Sequence, residues 1–344
     1  MKTRALIITG ILVITLISIG LVTQSSNENR HENKIRVAYF HNISHAVPIV
    51  GIEQGIFQNQ IGNNTVIQPI LFDAGPQVIE ALFANSIDIA YVGPGPAING
   101  FLKSDNHDIR ILSGAASGGA SFIVQSNSEI NSVVDFQGKR IAAPQIGNTQ
   151  DISLRSYLLE NGLKPTEKGG SVTVLNLSNS DIYILFAKGE IDGAWVPEPT
   201  ATLLVQQLGG KRLFNEEKLW SDGKFASVLL IARAEYVNQN SELIKNWLEA
   251  HEQTVNFINS NPKQTQMIFI DFIKKETGKT LPDNLVDEAF SNLEITSDPI
   301  PNSIDIFAKR AYSLGYLGRH GYNLDGIYFD INSNSQLEEI VNHD

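Results

Sequence analysis

Five short segments hold the side chains that could do chemistry, and each joins an extended stretch to a helical one or two extended stretches to each other. The first is Phe40-His41-Asn42-Ile43-Ser44-His45-Ala46-Val47-Pro48. Ser44 can cap the helix that begins here, which leaves free N–H groups of the first turn facing the strand end. His45 sits in that turn, either touching a ligand or exposed beside the cap. The second segment is Gly93-Pro94-Gly95-Pro96-Ala97. Proline suits a first helical turn and glycine lets a ligand approach the backbone, although a plain tight turn also accounts for the pattern. The third, Ala116-Ser117-Gly118-Gly119-Ala120-Ser121, is built of small residues that fit both a hinge and a close backbone contact. The fourth, Gly147-Asn148-Thr149-Gln150-Asp151, opens a helix with uncharged donors and exposed N–H groups that suit an oxyanion. Capping alone explains Asn148 or Thr149 equally well. The fifth is Trp195-Val196-Pro197-Glu198-Pro199. Trp195 either walls a small pocket or packs in the core. Glu198 either complements a helix dipole or receives the cationic group of a zwitterionic ligand.

The chemistry on offer is binding. No phosphate-cradling G-x-x-x-x-G-K-[ST], no H-E-x-x-H and no G-x-S-x-G occurs, and nothing pairs a nucleophile with a base. The seven His are scattered without metal-ligand spacing. Cysteine is absent, which removes disulfides, thiolate nucleophiles, Cys-held zinc and iron–sulfur clusters, and a lipid-bearing cysteine. No enzyme, no metal and no cofactor is expected. The formal net charge is −11, a poor match to nucleic acid, whose affinity for proteins comes largely from Lys and Arg. The same charge means that no global field steers an anion inward, so local dipoles must hold one.

Strands alternating with helices must position these segments. Residues 35–40, 66–72 and 87–92 read as strands, and 47–58, 76–85 and 94–102 as helices. That alternation predicts a parallel α/β sheet, and it resumes over 141–214. After Val237 the pattern is helical, over 243–258, 263–276, 283–292 and 303–317, cut by Pro262, Pro282 and Pro301. A chain of 344 residues allows two domains. An internal echo supports two similar lobes: Leu82-Phe83-Ala84-Asn85-Ser86-Ile87-Asp88-Ile89-Ala90-Tyr91-Val92-Gly93-Pro94 returns as Leu185-Phe186-Ala187-Lys188-Gly189-Glu190-Ile191-Asp192-Gly193-Ala194-Trp195-Val196-Pro197. Such units also resemble one another across unrelated α/β proteins. Ligands of open parallel sheets sit beyond the carboxyl ends of the strands, so two lobes face to face would form a cleft.

The N-terminus carries Lys2 and Arg4 before an apolar run over residues 5–22, interrupted only by Thr9, Gly10, Thr15, Ser18 and Gly20. This reads as export, by a cleaved signal peptide or an uncleaved membrane anchor.

Two segments carry a family resemblance. Phe72-Asp73-Ala74-Gly75-Pro76-Gln77-Val78-Ile79-Glu80-Ala81-Leu82, followed by Ser86-Ile87-Asp88-Ile89, resembles the aliphatic-sulfonate, taurine and nitrate group of ABC-importer binding proteins. Val133-Val134-Asp135-Phe136-Gln137-Gly138-Lys139-Arg140-Ile141-Ala142 is similar to that group's D-x-x-G-K-x-[IV] stretch. The resemblance runs from about Lys34 to about Leu324. It implies an α/β, type II periplasmic-binding-protein fold, with two doubly wound lobes joined by a two-strand hinge that close on ligand. It places lobe 1 at 34–119 and 225–330, lobe 2 at 120–224, an export segment plus linker at 1–33 and a C-terminal tail at 331–344. The crossovers are expected over 117–123 and 225–231.

By the same resemblance, loop positions at Ser44, Gly93, Ser117, Asn148, Thr149 and Trp195 hold the ligand. His45, Pro94, Gly118, Gln150 and Glu198 complete the candidate set. The implied function is extracytoplasmic capture of a small anionic or zwitterionic ligand, with delivery to an ABC transporter permease and its ATPase. The chain departs from the family in lacking a lipoprotein cysteine and in its Gly-Pro-Gly-Pro turn. A sensory ligand-binding module, or a receptor for a thiamine-precursor-like organic ligand, remains an alternative. An enzyme relative of this fold carries a cysteine-rich motif that this chain lacks.

Overall fold

The computed structural model describes residues 33–104, 108–220, 222–318 and 320–329. The export segment and the tail beyond 330 lie outside these residues. Among the described residues no helix is long and apolar enough to cross a membrane.

In chain order the strands are β1 (Asn33–Tyr39), β2 (Thr65–Leu71), β3 (Ile89–Val92), β4 (Ile109–Gly118), β5 (Ala120–Val124), β6 (Arg140–Ala143), β7 (Thr173–Asn176), β8 (Gly193–Pro197), β9 (Lys211–Asn215), β10 (Ala226–Arg233) and β11 (Leu293–Ile295). The helices are α1 (Ala46–Glu53), α2 (Ile56–Ile61), α3 (Gly75–Phe83), α4 (Pro94–Lys103), α5 (Thr149–Glu160), α6 (Asn179–Ala187), α7 (Thr200–Leu208), α8 (Ala234–Gln239), α9 (Ser241–Ser260), α10 (Pro262–Thr277), α11 (Asp283–Ser291) and α12 (Pro301–Ser313). The single helix expected over 47–58 is two, because Gly55 takes a positive φ between α1 and α2.

Two mixed sheets result, of order β11-β4-β10-β3-β1-β2 and β7-β6-β8-β5-β9. Read from β2 and from β7, the two share one strand order. β1 pairs parallel with β3, and β6 pairs parallel with both β7 and β8. The two halves of the internal echo thus lie in matching places, β3 beside β1 and β8 beside β6. The expectation of a parallel sheet needs correction: β10 runs antiparallel to β3 and β4, β11 antiparallel to β4, and β5 antiparallel to β8 and β9. β10 and β5 each arrive from the other sheet. They start at the end where the parallel strands finish, so they run the opposite way.

The chain first crosses between the sheets at Gly118 and Gly119, both at positive φ (77° and 73°), a conformation that glycine adopts freely. It returns between Asn215 and Ala226, earlier than the 225–231 stretch expected from sequence, because residues from Ala226 onward are already strand in the six-stranded sheet.

Apolar side chains alternate along the strands and cover both faces of each sheet. The six-stranded sheet buries Trp247, Phe57, Phe269 and Phe272 on one side and Phe101, Phe225 and Phe307 on the other. The five-stranded sheet buries Phe122, Phe136 and Trp195 on one side and Ile182, Phe186 and Leu204 on the other.

Candidate functional site

A cavity of about 40 Å³ lies where the carboxyl ends of the parallel strands of both sheets converge. On the scale where one water needs roughly 10–15 Å³, it admits a ligand of a few heavy atoms. The six-stranded sheet supplies Asn42, Ser44 and His45 after β1, Asp73 after β2, Gly93 after β3, and Ser227 on β10. The five-stranded sheet supplies Pro144 after β6, Asn148, Thr149 and Gln150 at the start of α5, and Asn179 at the start of α6. Gly118 and Gly119 of the first crossover, with Phe40, Pro197 and Val228, complete the wall.

Seven of the eleven residues expected from sequence line this cavity: Ser44, His45, Gly93, Gly118, Asn148, Thr149 and Gln150. Ser44 is not the helix cap. It lies within the 3-10 turn Ile43–His45 that precedes α1, where Asn42 holds the cap position. His45 is buried, 1% exposed, and its Nδ1 faces the Phe40 N–H at 3.3 Å. Nδ1 therefore accepts, and the proton resides on Nε2. Burial, reinforced by the charge of nearby His41, pushes the imidazole pKa down to about 3. At neutral pH His45 is an uncharged donor.

The α5 N-terminus is held in a fixed pose. Asn148 caps it, with Oδ1 accepting from Thr149 N at 3.1 Å. Asp151 is fully buried and accepts from Gly147 N (2.9 Å), Arg155 Nε (2.6 Å), Asn176 Nδ2 (2.8 Å) and Tyr316 OH (2.7 Å). The Tyr316 bond reaches across from the segment after α12, and burial, with Asp151 beside it, pushes the phenol pKa up. These bonds consume the Asp151 charge, so the first turn of α5 keeps its positive dipole end toward the cavity.

Four expected residues lie elsewhere. Pro94 is the buried first residue of α4 and does not line the cavity. The α4 N-terminus offers little to a ligand, because Pro94 and Pro96 have no N–H and Gly95 N lies 3.4 Å from Thr149 Oγ1. Glycine here permits a close approach. A Cβ on Gly93 would stand 2.2 Å from Thr149 Oγ1, and one on Gly95 2.8 Å from Ile152 Cδ1. Ser117 is buried in β4, opposite Ala226 on one side and Glu294 on the other.

Trp195 is fully buried inside the five-stranded sheet's core, edge-on to Phe122 and Phe214, and its Nε1 donates to Glu216 at 2.7 Å. Strand alternation sends it to the face opposite Ala194 and Val196. Glu198 is also fully buried. It accepts from Thr202 N (3.0 Å) in the first turn of α7 and from Asn292 Nδ2 (3.0 Å), and it pairs with Arg212 at 2.9 Å. Burial raises its pKa, against the pull of Arg212. It complements a helix dipole and its carboxylate is already paired within the protein.

Sequence reasoning passed over Asn42, Asp73, Asn179 and Ser227. Asn42 and Asp73 each follow a strand. Asn179 opens a helix after β7 by the same rule. Ser227 sits on a strand interior and gave no local signal. Three of these carry buried side-chain oxygens without a partner among the described residues: Asn42 Oδ1, Asn179 Oδ1 and Ser227 Oγ. Orphaned buried polar atoms are costly, and three around one cavity mark a place built for a polar guest. No group of His, Asp and Glu among the described residues could hold a metal ion.

Comparison with known proteins agrees with this architecture. A Brucella abortus relative, whose name assigns binding but no ligand, is 28% identical over 231 residues, 67% of each chain. The taurine-binding periplasmic protein of Escherichia coli K12 is 27% identical over 174 residues, 51% of this chain and 52% of its own. The alkanesulfonate-binding protein SsuA from Xanthomonas axonopodis pv. citri, solved with MOPS bound, superposes with a TM-score of 0.69 at 21% identity, over 83% of this chain and 94% of that one. The periplasmic nitrate-binding protein NrtA from Synechocystis PCC 6803 gives 0.69 at 16% identity, over 83% of this chain and 82% of that one. The fold is the type II periplasmic-binding-protein fold, two α/β lobes joined by two crossings. The sequence profile of the NMT1-like family matches residues 28–271, and the chain belongs to that family.

Proposed function

We propose that this chain is the extracytoplasmic solute-binding component of an ABC importer, and that it captures a small anion between its lobes. The observation that carries the reading is the composition of the cavity wall. Neutral donors from both lobes converge there, at His45, Ser44, Gln150 and the first turn of α5, with neither Lys nor Arg and no nucleophile–base pair among the lining residues. Such a site holds a guest by dipoles and does not transform it. The lobes are residues 34–119 with 225–330, and 120–224. They close by rotation about the two crossings, Gly118–Gly119 and the stretch between Asn215 and Ala226. Candidate cargoes follow the relatives' names: aliphatic sulfonates, taurine or nitrate. The partners are a permease and its ATPase. The segment over residues 1–33 carries the chain across the membrane or tethers it there.

The test is calorimetry and thermal denaturation of the purified full chain against alkanesulfonates, taurine, nitrate and bicarbonate. A ligand binding the native state alone stabilises it by about 2.7 kcal/mol at a hundredfold excess over Kd. Micromolar binding of one anion class, with no turnover, supports the receptor reading. No binding by any of them refutes it.

A further inference from the structure

We propose that Asp73 is the specificity residue of this cavity: it receives the cationic group of a zwitterionic cargo, so the ligand is a short aminoalkyl anion and not a bare one. The inference rests on the receptor reading above and narrows it to a substrate class.

Asp73 follows β2 and Asn42 follows β1, and the two strand ends are tied together by Phe72 N–H donating to Tyr39 O at 3.0 Å. Both residues thus stand at the same end of the six-stranded sheet, and both line the cavity. His45 is neutral there, and no Lys or Arg lines the wall, so Asp73 alone gives the lining a formal charge, and that charge is negative. Its carboxylate is exposed and makes no ion pair and no hydrogen bond among the described residues, so it is open to a ligand, whereas the buried Glu198, Asp151 and Asp88 are each paired with arginine. An unpaired carboxylate at the wall of a cavity that takes only an anion would repel its own cargo.

The orphaned atoms point the same way. Asn42 Oδ1 and Asn179 Oδ1 are acceptors in need of donors. Nitrate has no N–H or O–H to give them. An alkylammonium has three N–H donors, enough for Asp73 and an amide oxygen together. The anionic end then falls to the groups that can only help a negative charge: His45 Nε2–H and the first turn of the twelve-residue helix α5. The small cavity keeps the spacer between the two ends short.

The experiment is titration calorimetry of the full chain and its Asp73→Asn and Asp73→Glu variants with taurine, 2-hydroxyethanesulfonate, ethanesulfonate and nitrate. Asp73 is exposed, so both variants should fold, and matching thermal midpoints without ligand check that they do. The expected result is at least tenfold preference of the native chain for taurine over its hydroxyl and methyl analogues. Asp73→Asn should erase that preference while leaving or strengthening ethanesulfonate binding, and Asp73→Glu should retain part of it. Sulfonate or nitrate binding without an amine preference overturns this assignment and leaves the receptor reading intact. So does an amine preference that survives Asp73→Asn. Failure of all four ligands to bind the native chain overturns both.

Discussion

Each lobe repeats the same strand order, and two of the strand–helix junctions in each lobe differ in what they offer the cleft. The first-strand junctions, after β1 and after β6, carry Asn42, Ser44 and His45 on one side and Asn148, Thr149 and Gln150 on the other. The third-strand junctions, after β3 and after β8, are the two halves of the internal sequence echo, and they are rich in proline. Their polar groups are already spent: Gly95 N on Thr149, and Glu198 on Thr202, Arg212 and Asn292. Donor groups at the cavity wall thus include those of the first junctions, while the third junctions bring the lobes close, a Cβ on Gly93 standing 2.2 Å from Thr149 Oγ1. Proline accounts for much of the difference, since each one removes an N–H from a helix terminus that would otherwise attract an anion.

The comparison can be broken most forcefully at Glu198. Glu198→Ala leaves Arg212 without its buried partner and the first turn of α7 without its acceptor. It should cost about 3 kcal/mol of stability in urea denaturation, with ligand affinity changed far less. A large loss of affinity at unchanged stability would instead make the third junction part of the binding surface.

Trp195→Phe, in the same β8 region, should cost about 2 kcal/mol through lost packing and the orphaned Glu216 acceptor, again with Kd nearly unchanged.

Acid titration sharpens the point that the buried imidazoles serve as neutral groups. His251 is fully buried between Tyr91 OH (3.0 Å) and Gly114 O (2.8 Å), and burial lowers its pKa to about 4 from 6.5. A depressed histidine pKa means that the folded state favours the neutral form. Its contribution to stability is complete above pH 6.5 and is lost as pH falls from there toward 4. His251→Gln should therefore lower stability at pH 7 by about 1–3 kcal/mol and flatten that stretch of the stability–pH curve. Ligand affinity should stay level between pH 6 and 8 as far as His45 is concerned, since its pKa lies near 3.

The smallest expected effect is at Gly93. Gly93→Ala places a Cβ against Thr149 Oγ1 and should weaken binding about tenfold by resisting closure, with unfolding midpoints little altered.

How much of this was legible beforehand varies by element. The parallel core of both sheets could be read because short apolar runs alternating with helical patterns leave few other ways to bury their faces. The helices from α9 to α12 fell close to their expected bounds, since Pro262 and Pro301 begin helices and Pro282 immediately precedes one. That Ser44, His45, Gly93 and Asn148 to Gln150 line the cavity could be read because a strand end followed by a helix start is a local pattern. The place of Asp73 on the cavity wall was not legible, because nothing local distinguishes a carboxylate beside a cavity from one facing solvent only. Trp195 and Glu198 were misplaced because their neighbours Glu216, Arg212 and Asn292 come from distant parts of the chain.

By itself, then, the sequence determined the α/β class, the duplication of the strand–helix unit, the crossover glycines and the uncharged helix start at Asn148 to Gln150. These depend on periodicity, φ preference and capping, which act over a few residues. Only the tertiary structure decided which buried polar groups are paired and which are left open to a guest, because that depends on partners tens to more than a hundred residues away in the chain.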